Sequence, residues 1–311
     1  MRYGFGVDLG GTTVKLAFFQ EDGSLVSKWE IPTNTTGNGA QILPDIAGAV
    51  LSYIKQNKVV PEDVLGIGIG VPGSVDQNGI VAGCDNLGWG RTDICAVLKE
   101  LTGLPVAAGN DATVAALGEC WKGSGQGCDN MVFITLGTGV GGGMVVGGKP
   151  LHGTTGAAGE IGHMVLNRNE TRVCGCGKRG CVEQYCSATG IVRMAKDHLT
   201  QSTCDSALRS IENLTCKDVF DAAANQDAVA REVLEQVYAY MAEFIANICC
   251  VLNPSRIVIG GGVSKAGQIL LDGIKRHIGR YIYHAAADLE FSLASLGNNA
   301  GVYGAVKLIL N

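Results

Sequence analysis

Two stretches of this chain share one design. Residues 3–7 form a short apolar run that leads into Asp8-Leu-Gly10-Gly11-Thr12-Thr13 and resumes at residues 14–19. About 130 residues later, residues 131–136 lead into Gly137-Thr138-Gly139-Val-Gly141-Gly142-Gly143 and resume at residues 144–146. Each reads as strand, glycine turn, strand. A chain that makes this unit twice points to two similar halves. Between the copies the pattern predicts a helix near 42–56, a strand at 65–70 and a helix around 112–122. After them the apolar positions Val229, Val233, Val237, Met241, Phe244 and Ile248 recur at helical spacing, giving a long amphipathic helix over 227–252. Asn253-Pro254 ends it, 256–259 is a buried strand, Gly260-Gly261-Gly262 turns sharply, and a last helix spans 300–310. Strands alternating with helices imply an α/β architecture with parallel inner strands. No Pro-rich or charged linker separates the halves, so a cleft between closely joined domains is expected.

At 311 residues the chain can bury one large core or two ordinary ones. Apolar residues make up 46%, charged residues 17%, and mean hydropathy is +0.20, a globular composition. A net charge of −5 and the lack of Lys/Arg clusters exclude a nucleic-acid surface. No apolar run is long enough to cross a membrane, and no secretion signal precedes the first strand, so a soluble cytoplasmic protein is expected. Nine of the twelve cysteines (Cys84, Cys95, Cys120, Cys128, Cys186, Cys204, Cys216, Cys249, Cys250) are scattered through apolar segments, as reduced core residues are.

The glycine turns themselves carry chemistry. Two stretches match the dinucleotide fingerprint, Gly68-Ile-Gly70-Val-Pro-Gly73 and 137–142. The first is interrupted by Pro72 and the second leads into a strand, so neither rests a pyrophosphate on a helix. Residues 143–149 come close to a P-loop but run into Pro150, which has no hydroxyl for magnesium. A strand-to-strand turn of glycine and threonine can still bring backbone N–H groups and hydroxyls close to a phosphate. Asp8 could hold Mg2+ through water. One such hairpin is as readily a plain tight turn; two copies, with the turn at Gly261 and Gly262, favour nucleotide binding.

His163, Cys174, Cys176 and Cys181 have the residue types and spacing of a closed tetrahedral zinc site. Glu160 stands three residues before the histidine and Glu183 two after the last cysteine. The zinc loop is either an ordinary knuckle with incidental acids or a rigid platform for a polyhydroxylated ligand. Asn110-Asp111 precedes a helix, where an acid serves as a cap; a carboxylate there could equally be a general base.

Asp8-Leu-Gly-Gly-Thr12, Gly68-Ile-Gly-Val-Pro-Gly73, Asn110-Asp111, Leu136-Gly-Thr-Gly-Val-Gly141, Glu160-Ile-Gly-His163 and Cys174-Gly-Cys-Gly-Lys-Arg-Gly-Cys181-Val-Glu183 follow one another in this order. Together they resemble the ROK family (repressors, open reading frames, kinases) of the actin-like, hexokinase-type ATPases, over essentially the whole chain. The resemblance implies a two-domain α/β fold with an interdomain cleft. The first domain would comprise 1–118 and be completed by the C-terminal helix, 299–311; a larger one would span 119–298 and carry the zinc loop.

The resemblance further implies Asp111 as catalytic base for a sugar 6-hydroxyl. Asn110, Glu160, His163 and Glu183, helped by the Gly73 loop, would hold the other hydroxyls. ATP would lie against Gly10, Gly11, Thr12, Gly137, Thr138 and Gly139, with Asp8, Thr13 and Lys15 beside them and Gly261 and Gly262 at the nucleoside. Zinc would be structural, and a homodimer is implied. The stretch from Cys181 to Gly190 looks most like the glucokinase branch. Kinases of N-acetylmannosamine, N-acetylglucosamine, allose or fructose share the same acids. Repressors of the family add a winged-helix domain in front, for which a first strand starting at Tyr3 leaves no room.

Overall fold

The computed structural model describes residues 1–310; residue 311, the end of the expected returning segment, lies outside the described residues. The chain divides into two compact units. Unit 1 comprises Met1–Asp129, Gly143–Gly159 and the chain from Ser295 onward; unit 2 comprises Asn130–Gly142 and Glu160–Ala294. The division at 129/130 rather than 118/119 has a plain reason: a boundary after 118 would cut a helix that runs from Asp111 to Lys122. The return begins at Ser295, and 143–159 joins unit 1, which the sequence had assigned to the larger domain.

Unit 1 begins with β1 (Tyr3–Leu9), β2 (Thr13–Gln20) and β3 (Leu25–Pro32), an antiparallel meander, followed by α1 (Ile42–Gln56) and β4 (Val64–Val71). A short hairpin, β5 (Ile80–Val81) with β6 (Thr92–Asp93), leads into α2 (Ile94–Thr102), β7 (Val106–Asn110) and α3 (Asp111–Lys122). The sheet order is β3-β2-β1-β4-β7, with β4 parallel to β1 and β7 parallel to β4. One face of β1 and β4 presents Phe5, Val7, Leu9, Ile67 and Ile69, all buried, to a core shared with Ile42, Ile46, Val50 and Leu98 from α1 and α2. Alternation along a strand puts glycines Gly6 and Gly68 on the opposite face.

Unit 2 contains β8 (Met131–Leu136) and the start of β9 (Val140–Val146), whose end pairs with β10 (Lys149–Pro150) inside unit 1. Then come α4 (Glu183–Cys186), α5 (Ala188–Gln201), α6 (Cys216–Ala224), α7 (Ala228–Leu252), β11 (Arg256–Gly260), α8 (Gln268–Ile278) and β12 (Glu290–Leu293). The order β10-β9-β8-β11-β12 repeats that of the first sheet, with β11 parallel to both β8 and β12. The repeated glycine hairpin is thus the first hairpin of each sheet. Asp227 caps α7 by accepting from Ala230 N–H, and Asn253, at φ 44°, ends it in the left-handed region ahead of Pro254.

The final helix, α9 (Ala300–Lys307), lies on the second face of the unit 1 sheet, where Val302, Val306 and Leu310 pack with Ala17 and Phe19. It ends three residues short of the expected 310. Gly68 and Gly304 make this approach possible: a Cβ on Gly68 would lie 1.7 Å from the Ala305 carbonyl oxygen, and one on Gly304 1.6 Å from that of Val114. Among the described residues no helix is long and apolar enough to cross a membrane.

Candidate active site

In unit 1 the expected residues meet at the carboxyl ends of three adjacent parallel strands. Asp8 on β1 is in register with Gly70 on β4, and Val71 on β4 with Asn110 on β7. Crevices outside such strand ends are where open α/β sheets hold ligands. Beyond β1 the Gly10 N–H donates to the Thr13 carbonyl at 3.0 Å, closing the turn, and Gly11 has open space around it. Thr33, which no sequence motif marked, braces this turn: its Oγ1 donates to the Gly10 carbonyl at 2.7 Å and its N–H to that of Thr12 at 2.9 Å. Lys15 Nζ donates to Asp8 Oδ2 at 3.2 Å, so the two expected nucleotide-side residues hold each other.

Asn110, not Asp111, caps α3. Its Oδ1 accepts from the N–H groups of Ala112 and Thr113 at 3.0 and 3.1 Å, and its Nδ2 donates to the Gly73 carbonyl at 3.0 Å. The amide therefore ties the loop after β4 to the start of α3. Gly73 sits at φ 94°, a left-handed conformation open to glycine. Asp111 is the first helical residue and is exposed, with Oδ1 accepting from Ala112 N–H at 2.8 Å. Its carboxylate stands where the unpaired N–H groups of a helix start favour an anion.

In unit 2 the turn Gly137-Thr138-Gly139 follows β8, with Gly137 N–H donating to the Gly139 carbonyl at 3.0 Å. Gly261, at φ 84°, lies so close that a Cβ would stand 2.5 Å from the Leu136 carbonyl oxygen; Gly262 faces open space. The two glycine turns of this unit thus sit together at its strand ends.

The Cys/His group is adjacent. One donor atom from each of His163, Cys174, Cys176 and Cys181 lies within 4.8 Å of the others. Cys176 Sγ and Cys181 Sγ are 3.6 Å apart, and Cys174 Sγ is 3.9 Å from His163 Nδ1. A tetrahedral ion with metal–sulfur bonds of about 2.3 Å spans such separations, so the set fits a metal ion. Burial raises the Cys174 thiol, and burial together with the Cys176 thiol pushes Cys181 up to about 12; the Lys178 N–H lowers Cys176. Ionising three clustered thiols needs a cation among them.

Both flanking acids are tied to this group. Glu160 Oε2 lies 3.9 Å from His163 Nε2, on the ring edge opposite the one facing Cys174. Glu183 Oε1 lies 3.6 Å from Cys174 Sγ, while its Oε2 accepts from the Val140 N–H at 3.1 Å. Buried Gln184 holds the loop from inside, its Oε1 accepting from the N–H groups of Gly180 and Cys181 and its Nε2 donating to the Arg172 carbonyl. Glu170 bonds Arg172 and the Tyr185 hydroxyl; the Arg172 guanidinium holds its carboxyl at about 2.

The ROK family model matches residues 4–311. The chain belongs to the ROK family. It is 46% identical over 313 residues to a glucokinase of Halalkalibacterium halodurans, covering 99% of this chain and 95% of that one. A glucokinase of Thermotoga maritima is 35% identical over 98% of this chain and 96% of its own length. Among solved structures, the ROK family glucokinase of Streptomyces griseus in complex with glucose and AMPPNP superposes with a TM-score of 0.76 at 33% identity, covering 98% of each chain. The repeated sheet order is accordingly that of the actin-like ATPase fold of ROK hexokinases. As the sequence led one to expect, this ROK protein is an ATP-dependent hexose kinase by family and fold.

Proposed function

We propose that this protein transfers the γ-phosphoryl group of ATP to the 6-hydroxyl of glucose. The observation that carries the reading is the placement of Asp111. It is exposed at the start of α3, at the same strand ends as the β1–β2 glycine turn, in a chain 46% identical to a glucokinase.

In this reading Asp111 accepts the 6-hydroxyl proton while that oxygen forms its bond to the γ-phosphorus. The bond from phosphorus to the β-bridging oxygen breaks, and ADP leaves with those electrons. Asn110, already fixed to Gly73, sets the entry to α3 and keeps one amide N–H for the sugar. Glu160, His163 and Glu183 hold further hydroxyls. Gly10, Gly11, Thr12, Thr13, Gly137, Thr138 and Gly139 receive the phosphates, and Gly261 and Gly262 the nucleoside. Asp8, oriented by Lys15, would hold Mg2+ through water; that ion neutralises phosphate charge. Positioning supplies much of the rate, since phosphoryl transfer asks little covalent chemistry of the protein.

Zinc is the ion we assign to His163, Cys174, Cys176 and Cys181. Three thiolates and an imidazole are its preferred donors, and four protein ligands leave no position for catalysis. His163 would offer Nδ1 to the metal and Nε2 to the sugar side. The cysteines are unpaired among the described residues, which suits a reducing cytoplasm. A homodimer, as the family resemblance implies, would sediment at twice the chain mass.

ADP release by the purified, metal-loaded protein across glucose, mannose, fructose, allose and the N-acetylhexosamines tests the substrate. Glucose is expected to give the highest kcat/KM. A higher value for an N-acetylhexosamine would move the assignment to that branch.

A further inference from the structure

The glycine turn after β8 is held from behind by one short stretch, residues 183–189, which starts two residues after Cys181. Val140 N–H donates to Glu183 Oε2 at 3.1 Å, Ala188 N–H donates to the Gly137 carbonyl at 2.8 Å, and Thr189 Oγ1 donates to the Thr138 carbonyl at 2.8 Å. A Cβ on Gly139 would lie 2.3 Å from Glu183 Oε2, so any side chain there would displace the carboxylate that holds Val140 N–H. Thr189 is itself placed by Ser187. That fully buried hydroxyl caps α5 by accepting from Gly190 N–H at 3.0 Å and lies 3.0 Å from Thr189 Oγ1.

These bonds set the direction of two amides. In a trans peptide the C=O and the following N–H point opposite ways. Holding the Gly137 carbonyl on Ala188 turns Thr138 N–H away from α5, and holding the Thr138 carbonyl on Thr189 does the same for Gly139 N–H. Neither N–H donates to a protein acceptor among the described residues. Successive N–H groups aimed the same way make an anion-binding concavity.

We propose that Thr189 is a positioning residue for the nucleotide, aiming the Gly139 N–H at a phosphate by fixing the Thr138 carbonyl. The proposal rests on the kinase reading, which puts phosphates at this turn. Thr189 falls in the Cys181–Gly190 stretch that resembles the glucokinase branch, but nothing there gives it a nucleotide-side role, because its contact spans 51 residues of chain.

The test measures ADP and glucose dissociation constants separately, by calorimetry on metal-loaded protein, for wild type, Thr189→Val and Thr189→Ser, with amide hydrogen exchange over 137–140. Valine keeps the shape and loses the hydroxyl. It is expected to weaken ADP about fivefold, the worth of one net hydrogen bond. Exchange at Gly137 and Val140, the amides of this turn that donate hydrogen bonds, should speed up, glucose binding should hold, and serine should restore ADP affinity. ADP affinity unchanged in Thr189→Val, or ADP and glucose weakened equally, would overturn the role of Thr189 alone. A wild-type protein that binds glucose but no ADP would instead overturn the kinase reading, and this proposal with it.

Discussion

Asp111→Asn is expected to lower kcat for ADP formation on glucose by about a thousandfold, in the range of losing a general base. Glucose affinity should change no more than about twofold, since the amide retains a hydrogen-bonding oxygen and the shape of the side chain. The substitution suits the fold as well. Asp111 is the first residue of α3 and not its cap; Asn110 carries the cap and the Gly73 tie, and both stay intact. Loss of turnover with retained binding therefore reads the proton transfer and not a broken helix start. Single-turnover quench experiments beside calorimetric glucose titration separate the two quantities. A variant that keeps more than a tenth of wild-type kcat would remove Asp111 from the chemistry.

The second large effect is expected at the Cys/His group. Cys176→Ser should reduce bound zinc from one per chain to near none after dialysis. It should also weaken glucose binding by about tenfold or more, the scale on which loss of ligand support costs a site. The reason lies in the neighbours of the ligands. His163 and Glu183 both face Cys174 Sγ, at 3.9 and 3.6 Å, and Glu160 lies 3.9 Å from His163. With the ion gone, the loop residues 174–181 keep the Gln184 brace and the backbone bonds from Leu166 and Asn167 to Gly180, but lose the link that ties the three sulfurs to His163 beside the two glutamates. Cys176 is the exposed member of the set, so the serine variant removes a ligand without opening a cavity in the core. Metal analysis with glucose titration decides the matter; wild-type glucose affinity in a zinc-free variant would reduce the group to a plain knuckle.

Much of this was legible in the sequence because it depends on local pattern. Glycine turns between apolar runs announced both hairpins, and the sheets place them identically. The apolar pattern gave α1 at its observed bounds, and period with the Asn253-Pro254 stop gave α7 to within a residue. The Cys/His spacing put four donors within 4.8 Å of one another. What escaped depends on contacts distant in sequence. The exchange of roles between Asn110 and Asp111 turns on which side chain reaches Thr113 N–H, a matter of one residue at a helix start. Residues 143–159 belong with unit 1 because β9 carries the chain out of unit 2 midway along its length, which no composition change marks. Thr33 and Thr189 act through backbone carbonyls 23 and 51 residues away, and a lone threonine has no signature for that. The last helix stops at Lys307 although the apolar pattern continues to Leu310, which still packs on Ala17 and Phe19 from a non-helical backbone.

The most direct measurement is the position of the phosphate in the product. Purified protein, ATP, magnesium and carbon-13-labelled glucose, followed by phosphorus and carbon NMR, should yield glucose 6-phosphate and ADP in equal amounts. Phosphate on another carbon, or inorganic phosphate released with glucose unchanged, would contradict the assignment of Asp111 as the base that delivers the 6-hydroxyl to ATP.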